Sequence, residues 1–429
     1  MKILVIGSGG REHAVCRSFQ KSGRAVRLYC ADGNAGIAAL AECVPIKPDE
    51  IEKLAGFAES EAIDLTFVGG ETALALGITD EFEKRGLKIV GVSGSAARLE
   101  ASKAFAKDFM ARHGIPTARY RTAFSTAEAR AVLDSGFFGD ERAPAVVKAD
   151  GLAAGKGVVV APDRAAAVRA IEELENLVGR AAAEKIVLEE CLVGREVSLL
   201  AFCDGENFAL MPPVRDHKRI GEGDTGPNTG GMGTISDRSL LTAEQIAQIA
   251  ADIIEPTLAG ARADGFPIRG ILFLGLMLTV EGIKVLEYNV RFGDPETQVI
   301  LIQLETDLVE ICEAMLGQTL DRIEIEWRPG SAACVVLAAE NYPNRPRTGD
   351  RIDGLEAAAA LDHTEIFHAG TKRDAAGRFV TAGGRVLGVT AVGDDLPEAL
   401  ERAYRAVAEI SWDGMQFRRD IGGSLSLES

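Results

Sequence analysis

The chain has 429 residues, more than one compact core usually holds and enough for two or three domains. With 47% hydrophobic and 26% charged residues, the composition is typical of globular proteins and excludes disordered, collagen-like and coiled-coil chains. Acidic residues outnumber basic ones 64 to 47, so the net charge of −17 disfavours non-specific binding to nucleic acid or to an anionic membrane. Glycine is in excess at 47 residues, which predicts loops that approach a ligand closely.

The cysteines and the apolar runs indicate a cellular location. Seven cysteines are scattered without a CxxC pair, which predicts reduced thiols and no zinc site. The chain opens with MKILVIG, without a basic, cleavable leader. Its longest apolar run, residues 270–280, is shorter than the ~20 residues that a membrane helix needs. These features predict a cytoplasmic protein with no membrane partner.

Short β-branched runs alternate with helical patterns over residues 1–102. KILVIG, AVRLYCA, LTFVGG and LKIVGV are separated by amphipathic segments, which predicts a doubly wound parallel sheet. Loops with glycine follow three of these runs, at the strand ends where such sheets bind ligands. The first loop, GSGGREH, has Glu12 at the third glycine position of a dinucleotide fingerprint. A phosphate or ribose of another ligand is therefore favoured over NAD.

Residues 103–327 carry a glycine-rich loop, DGLAAGKG, between the strand patterns PAVVKAD and GVVVA. The loop is not a Walker A motif, because Lys156 is followed by Gly157 and because the loop joins two strands. It predicts a flap that holds a triphosphate through backbone N–H groups and Lys156, on a strand that carries Lys148. An ordinary hairpin loop with surface lysines is the alternative interpretation.

The stretch VLEYNVRFGDPETQ carries the sharpest functional signal. Strand alternation places Glu287 and Asn289 on one face, with Arg291 next along it. Carboxylate and amide oxygens suit Mg²⁺, and a nearby cation can hold a carboxylate or phosphate. A solvated polar strand face is the alternative.

The loop DHKRIGEGDTGPNTGGMG, residues 216–233, contains six glycines and predicts a substrate-binding loop rather than a disordered linker. Its His217 is expected to be a hydrogen-bonding loop residue rather than a general base. No Ser–His–Asp or Cys–His pairing supports a covalent acyl-enzyme. After residue 328, short strands and a closing helix at about residues 396–410 predict a small α+β domain.

Taken together, these stretches resemble the glycinamide ribonucleotide synthetase family of ATP-grasp ligases. Matching segments run through nearly the whole chain, and the pair DHK…DTGPNTGGMG and RFGDPET is the most specific. The resemblance implies an α/β protein with three domains. They are an N-terminal Rossmann-like pre-ATP-grasp domain with a doubly wound parallel sheet (1–102), a two-lobed α+β ATP-grasp domain (103–327, lid lobe about 121–190) and a small C-terminal α+β domain with short strands (328–429).

The resemblance also implies an activity. It is the ATP-dependent joining of glycine to 5-phosphoribosylamine through glycyl phosphate in purine biosynthesis, with Mg²⁺ or Mn²⁺, by a monomer or weak dimer. Another ATP-grasp carboxylate–amine or carboxylate–bicarbonate ligase is the first alternative. An inactive nucleotide-binding protein is the second.

The residues expected at the site follow from the same resemblance. ATP is expected at Lys103, Lys148, Gly151, Gly155, Lys156, Gly157, Glu189, Glu190, Leu192 and Glu196, with the hinge residues Glu189, Glu190 and Leu192 meeting adenine. The metal is expected at Glu287 and Asn289. Substrates are expected at Gly9, Gly10, Arg11, Glu12, Glu71, Asp216, Lys218, Thr225, Gly226, Pro227, Asn228, Thr229, Gly230 and Arg291. Catalytic roles are expected for Arg291, Lys156 and Asp216.

Overall fold

The computed structural model describes residues 1–24, 27–151, 157–178 and 185–423. The first region is a five-stranded parallel sheet, which confirms the predicted doubly wound arrangement. Its strands are β1 (Lys2–Gly7), β2 (Arg27–Asp32), β3 (Glu42–Val44), β4 (Leu65–Val68) and β5 (Ile89–Val90), in the spatial order β3-β2-β1-β4-β5. Its α-helices are Gly10–Gln20, Ile51–Ser60, Glu71–Ala75, Ile78–Lys84 and Gly94–Ala101. Residues 3–6 of β1 are almost fully buried, because a parallel sheet is covered on both faces.

The second region is a four-stranded antiparallel sheet with its own small core. Its strands are β6 (Tyr120–Ala123), β7 (Ala145–Ala149), β8 (Val158–Ala161) and β9 (Ile186–Glu190), in the order β6-β9-β7-β8. The helices Thr126–Asp134 and Arg164–Val178 pack on this sheet, and small aliphatic side chains fill the space between them. Strands β7 and β8 flank the predicted flap, as expected for a strand–loop–strand unit.

The third region is a large antiparallel sheet that runs through the rest of the chain. Its strands are β10 (Arg195–Asp204), β11 (Phe208–Leu210), β12 (Val214–Asp216), β15 (Gly233–Ser236), β16 (Arg269–Thr279), β17 (Gly282–Asn289), β18 (Ser331–Ala338), β19 (Thr364–His368) and β22 (Arg385–Gly393). The order is β17-β16-β10-β12-β15-β18-β22-β19, with β11 beside β10. Two small hairpins pair β13 (Arg219–Gly221) with β14 (Thr225–Asn228), and β20 (Thr371–Arg373) with β21 (Phe379–Thr381).

Helices cover this sheet, and the last of them, Leu396–Glu409, lies where a closing helix was predicted. The α-helices are Lys103–Arg112, Ala243–Ile249, Glu255–Ala263, Glu296–Leu301, Leu308–Gly317, Leu355–Ala359 and Leu396–Glu409, and residues Ala250–Ile254 form a π-helical segment. Short 3₁₀ turns occur at Ile37–Ala39, Glu222–Asp224, Arg238–Leu240 and Leu320–Arg322. Across the described ranges, none of the helices has the length and hydropathy that a bilayer crossing requires.

Three of the C-terminal strands, β18, β22 and β19, continue the central sheet, and only β20 and β21 form a separate hairpin among the described residues. Strand β15 pairs antiparallel with β18, with Ile235 opposite Ala333 and Gly233 opposite Val335. Main-chain hydrogen bonds therefore cross the predicted boundary near residue 328. The loop 216–233 lies between β12 and β15, at the centre of this sheet.

Candidate active site

Four cationic side chains from separate elements surround the carboxylate of Glu287 on β17. Burial raises the pKa of Glu287, but Lys218, Lys148, Lys103 and Arg291 together outweigh burial, so this pKa lies below its ordinary value. The sequence predicted functional roles for all five residues, and the structure brings them together. Lysine and arginine side chains gathered near one half-buried carboxylate are groups that can hold the phosphate or carboxylate oxygens of a ligand.

Hydrogen bonds hold Lys148 and the helix start that carries Lys103 in place. Lys148 Nζ lies 2.8 Å from Glu189 Oε1 and donates to the carbonyl of Leu286 at 3.3 Å. Lys103 begins its helix directly after Ser102, whose Oγ accepts the Phe105 N–H and so caps the helix. Ser102 Oγ also donates to a carboxylate oxygen of Asp150 at 3.0 Å. The helix start is thereby tied to the residue that follows β7.

Glu287 and Asn289 lie two residues apart on β17 and carry side-chain oxygens on the same face, as the alternation predicts. Asn289 Oδ1 accepts from Arg291 Nη2 at 3.1 Å, and within the described ranges no hydrogen bond reaches the Glu287 carboxylate. The described residues hold no cluster of three or more His, Cys, Asp or Glu side chains suited to a metal. One carboxylate and one amide oxygen suit Mg²⁺ or Mn²⁺, since Mg²⁺ usually takes one or two protein ligands together with phosphate oxygens of the substrate.

Two carboxyl groups next to this cluster have raised pKa values. Burial, reinforced by Glu196 and Glu287 and opposed by Lys218, raises the pKa of Asp216 to about 6. Burial and repulsion from Asp216 raise the pKa of Glu296 to about 7. Near neutral pH these two acids can therefore hold or release a proton beside the cations.

Glu296 was missed by sequence reasoning, although it belongs to the quoted RFGDPET segment. In the sequence, its signal was its position at the start of a helix directly after Pro295. The structure shows that its side chain is buried, which is unusual for a carboxylate. Lys218, in contrast, was predicted. It forms an ion pair with Glu196, the residue expected near the ribose.

The first loop of the parallel sheet is built around the side chain of Glu12. Glu12 Oε2 accepts the N–H of Gly9 at 2.6 Å, and Oε1 lies 2.6 Å from Arg11 Nε. A Cβ at Gly7 would come within 2.6 Å of Glu12, and one at Gly69 within 2.0 Å. The glycines here make room for a buried carboxylate, which explains why the dinucleotide fingerprint is incomplete.

Charged side chains connect this loop to the end of β17. Arg11 Nη1 donates to the carbonyl of Phe292 at 2.9 Å. Arg291 Nη2 lies 2.6 Å from Glu100 Oε1, and Arg291 Nε lies 3.4 Å from Glu71 Oε2. Burial raises the pKa of Glu71, but Arg291 and Arg11 lower it below its usual value. The structure thus places Arg11 and Glu71 next to Arg291, and it adds Glu100, which the sequence analysis had not singled out.

In the predicted hinge, the Glu189 carboxylate forms ion pairs with two lysines. Lys107 Nζ lies 2.8 Å from Glu189 Oε2, while Lys148 contacts the other oxygen. Burial, opposed by Glu189, lowers the pKa of Lys107 to about 8. The neighbouring Glu190 pairs with Arg119 at 2.7 Å. The Glu189 carboxylate is thus engaged by protein groups, and the predicted hinge continues past the end of β9 to Leu192.

The remaining predicted residues fall into three groups. Gly155 and Lys156 lie outside the described residues, whereas Gly151, Gly157 and Leu192 are described beside the flap and the hinge. Thr229 is buried and binds the Lys218 carbonyl through its N–H at 2.7 Å and its hydroxyl at 2.9 Å. Thr225, Gly226, Pro227 and Gly230 are exposed, with Asn228 at the end of the same hairpin strand. In the described part of the chain, no hydrogen bond or ion pair joins Thr225–Asn228 to the Glu287 cluster.

Comparison with known proteins gives a consistent family assignment. Three phosphoribosylglycinamide synthetase models match in succession: the N domain over residues 1–100, the ATP-grasp (A) domain over 101–297 and the C domain over 332–424. A phosphoribosylamine–glycine ligase of Xylella fastidiosa is 47% identical over 427 residues, which is 98% of this chain and 97% of that protein. A ligase of the same name from Caldanaerobacter subterraneus is 45% identical over 423 residues, 98% of this chain and 99% of its own length.

Solved structures show the same likeness in three dimensions. The crystal structure of phosphoribosylamine–glycine ligase from Thermotoga maritima has a TM-score of 0.83 and 34% identity, and the match covers 98% of this chain and 100% of that chain. The biotin carboxylase domain of Hydrogenobacter thermophilus 2-oxoglutarate carboxylase, solved with MgADP, shares only the fold. Its TM-score is 0.72 at 17% identity, and the match covers 97% of this chain and 91% of that chain. Since family models match most of the length and relatives above 30% identity cover nearly all of it, the chain belongs to the phosphoribosylglycinamide synthetase family.

Proposed function

We propose that the chain joins glycine to 5-phosphoribosylamine at the expense of ATP, giving glycinamide ribonucleotide, ADP and phosphate. The observation that carries this function is the cluster of Lys103, Lys148, Lys218 and Arg291 around Glu287. Such a cluster suits the transfer of a phosphoryl group, where catalysis is mainly positioning and charge stabilisation. Membership of the family supports the choice of glycine and phosphoribosylamine as substrates.

ATP binds along the junction between the four-stranded sheet and the large sheet. Lys103 and Lys148 hold phosphate oxygens, with the flap residues Gly151 and Gly157 alongside. Main-chain groups from Glu189 to Leu192 meet the adenine, since the Glu189 carboxylate is already paired with two lysines. A divalent cation held by Glu287 and Asn289 would neutralise charge on the transferred phosphoryl group.

Glycine binds between Arg291 and the two acids Asp216 and Glu296. The guanidinium of Arg291 orients the carboxylate of glycine, and the acid pair accepts its ammonium group. A carboxylate oxygen of glycine then attacks the γ-phosphorus of ATP, and ADP leaves. Repulsion between Asp216 and Glu296, visible in the raised pKa of Glu296, is relieved by a bound cationic group.

The amine of phosphoribosylamine then attacks the carbonyl carbon of glycyl phosphate, and inorganic phosphate leaves as the amide forms. The phosphate of this substrate binds at the start of the helix Gly10–Gln20, where backbone N–H groups and Arg11 converge. The interactions of Glu71 with Arg11 and Arg291 support a second site next to the first. Enclosure of the acyl phosphate between the two sites protects it from water.

A coupled assay of ADP release tests this function. We expect turnover only when ATP, glycine and phosphoribosylamine are all present. Bicarbonate in place of glycine, or another amine in place of phosphoribosylamine, should give only background. Turnover with bicarbonate would identify a different ligase of the same fold, and ATP binding without turnover on any carboxylate would identify an inactive nucleotide-binding protein.

A further inference from the structure

The segment 418–422 lies against the loop 216–233, and its main contact is a buried arginine. The Arg418 side chain is only 2% exposed. Its Nε and Nη2 atoms each donate to a carboxylate oxygen of Asp420 at 2.7 Å. Its Nη1 atom donates to Asp224 Oδ1 at 2.6 Å and to the carbonyl of Arg219 at 3.2 Å. Both of these acceptors belong to the hairpin β13–β14 inside the loop.

Two more hydrogen bonds join the segment to the same loop. Gly223 N–H donates to Asp420 Oδ2 at 2.8 Å, so the carboxylate of Asp420 bridges Arg418 and the tip of the hairpin. Gly422 N–H donates to His217 Nε2 at 3.2 Å. The other ring nitrogen of His217 lies 3.3 Å from the carbonyl of Gly233, where it can donate as N–H. The ring is therefore the neutral form protonated on Nδ1.

The state of His217 agrees with this geometry. Burial, reinforced by the charges of Arg418 and Arg215, lowers the pKa of His217 to about 4. His217 lies between Asp216 and Lys218 in sequence, and side chains alternate in direction along extended backbone. Its ring points to the C-terminal segment, so its two neighbours point to the Glu287 cluster, as their mutual charge effects require.

The segment is itself held by the body of the protein. Tyr404, on the helix Leu396–Glu409, donates its hydroxyl to the carbonyl of Arg418 at 2.9 Å. The same hydroxyl accepts the N–H of Ile421 at 3.1 Å. The Ile421 side chain is buried, and a Cβ on Gly233 would lie 2.6 Å from its Cδ1 atom. Segment 418–422 is thus a fixed support rather than a free tail.

We propose that Arg418 is a positioning residue for glycine binding. Arg418 holds the hairpin β13–β14, and the segment 418–422 that it anchors holds His217. The side chains of Asp216 and Lys218 therefore stay directed toward Glu287. Arg418 touches no substrate and acts through the loop. This role rests on the proposed function, since it assigns the glycine subsite to the loop that Arg418 supports.

The chemistry of arginine is required for this role. One guanidinium group reaches four acceptor atoms in different directions, two on Asp420 and one each on Asp224 and Arg219. The single ammonium group of lysine cannot reach all four at once. Without the guanidinium, Asp224 and Asp420 would repel each other beside an unpaired carbonyl.

The test compares Arg418→Ala and Arg418→Lys with Arg419→Ala. Arg419 is a matched control, because its side chain is 73% exposed, lies 3.6 Å from Glu222 and covers the Phe417 ring at 4.9 Å. For Arg418→Ala we expect the KM for glycine to rise by about tenfold or more, with the KM for ATP changed by less than about twofold. Arg418→Lys should be intermediate, and Arg419→Ala should resemble the unmodified chain.

A second measurement does not depend on activity. Trypsin cleaves after lysine and arginine, and Lys218 and Arg219 lie in the supported loop. Cleavage after these two residues under native conditions should be faster in Arg418→Ala and unchanged in Arg419→Ala. If Arg418→Ala fails to fold, Asp224→Asn replaces it, since this change weakens the contact to the loop and leaves the Asp420 pair intact.

The outcomes separate the two proposals. An unchanged KM for glycine together with unchanged cleavage in Arg418→Ala would overturn the role of Arg418. Equal rises in the KM values for glycine and ATP would also overturn it, because they would mean a general structural effect. Absence of turnover by the unmodified chain with glycine and phosphoribosylamine would instead overturn the proposed function, and the cleavage assay would still test the support of the loop.

Discussion

Glu287 differs from Asp294 and Glu189, two neighbouring carboxylates, in how its charge is compensated. Asp294 and Glu189 have direct hydrogen-bonded or ion-paired partners in the protein. Glu287 has four cations nearby but, within the described ranges, no donor bonded to its oxygens. A carboxylate held in this way is available to a cation that arrives with the substrate.

Replacing Glu287 by glutamine is expected to preserve the fold and to lower turnover by at least ~100-fold, since charge stabilisation of phosphoryl transfer depends on this carboxylate. ADP release and urea unfolding measure the two effects. Glu281→Gln is the control, because Glu281 lies at the exposed turn of the same hairpin and pairs only with Lys284. Activity close to that of the unmodified chain in Glu287→Gln would show that the metal site is wrongly assigned.

Individual side chains show where sequence reasoning reached its limit. Glu287, Asn289 and Arg291 were predictable because strand alternation fixes their relative directions. Lys107 was not predicted, since its helix pattern matches any amphipathic helix with a lysine on its surface. Only the fold shows that its ammonium group is buried against Glu189 and Thr117, with a pKa lowered to about 8. Such contacts between distant segments leave no local pattern in one sequence.

At the scale of elements, most strands and helices follow from the hydrophobic periodicity, and the exceptions have physical causes. The amphipathic pattern of residues 74–85 is typical of one helix, but Gly77 has a φ of 79° and separates Glu71–Ala75 from Ile78–Lys84. The pattern of residues 241–264 is also typical of one helix, and the structure is continuous there but contains the π-helical segment Ala250–Ile254. Pro256 follows this segment, and its missing N–H disturbs the regular bonding of the preceding turn.

The start of the helix Gly10–Gln20, the proposed phosphate site, is packed so closely that residue 10 must be small. A Cβ on Gly10 would lie 2.6 Å from Gln298 Nε2, which donates to Asp294 Oδ1 at 2.9 Å. Gly10→Ala is therefore expected to displace the helix start and raise the KM for phosphoribosylamine by about tenfold, with little effect on the KM for ATP. Initial rates at varied substrate concentration measure both constants.

Gly56→Ala is the matched control for this change. Gly56 lies inside the helix Ile51–Ser60, and a Cβ there would meet no described atom within 4 Å. We expect unchanged kinetics and a gain in stability of about 0.5–1 kcal/mol, the usual benefit of alanine over glycine in a helix. Equal kinetics for the two variants would argue against a phosphate site at the start of the first helix.

At the scale of the whole molecule, the first and last regions meet through two buried histidines. The N–H of His368 donates to His13 Nδ1 at 2.7 Å, and Asn34 donates to the carbonyl of His368 at 2.8 Å. Burial lowers the pKa of His13 to about 3 and that of His368 to about 4. Both rings are thus neutral in the folded protein. This contact could not be predicted from local patterns, because the two histidines are 355 positions apart.

These histidines predict a loss of stability in acid. An unfolded histidine takes up its proton near pH 6.5, whereas folded His368 does so near pH 4, so stability falls as the pH drops between these values. From pH 7 to pH 5 the free energy of unfolding should fall by roughly 2 kcal/mol more in the unmodified chain than in His368→Gln. Urea unfolding at both pH values measures this difference. The contributions of other titrating groups to the free energy of unfolding largely cancel between the two proteins. Parallel pH dependence of the two proteins would contradict the assignment.

The pairing of β15 with β18 also limits how the chain can be divided. A fragment ending near residue 328 would leave β15 with a row of unsatisfied main-chain groups, and the complementary fragment would do the same to β18. Open edges of this kind invite association with other chains. Asp216 lies on β12, which pairs with β15, and Lys218 follows two residues later, so both lie close to that edge. Expressing the middle and last regions as separate pieces would therefore produce aggregation-prone halves, and the glycine subsite would be lost with the cut.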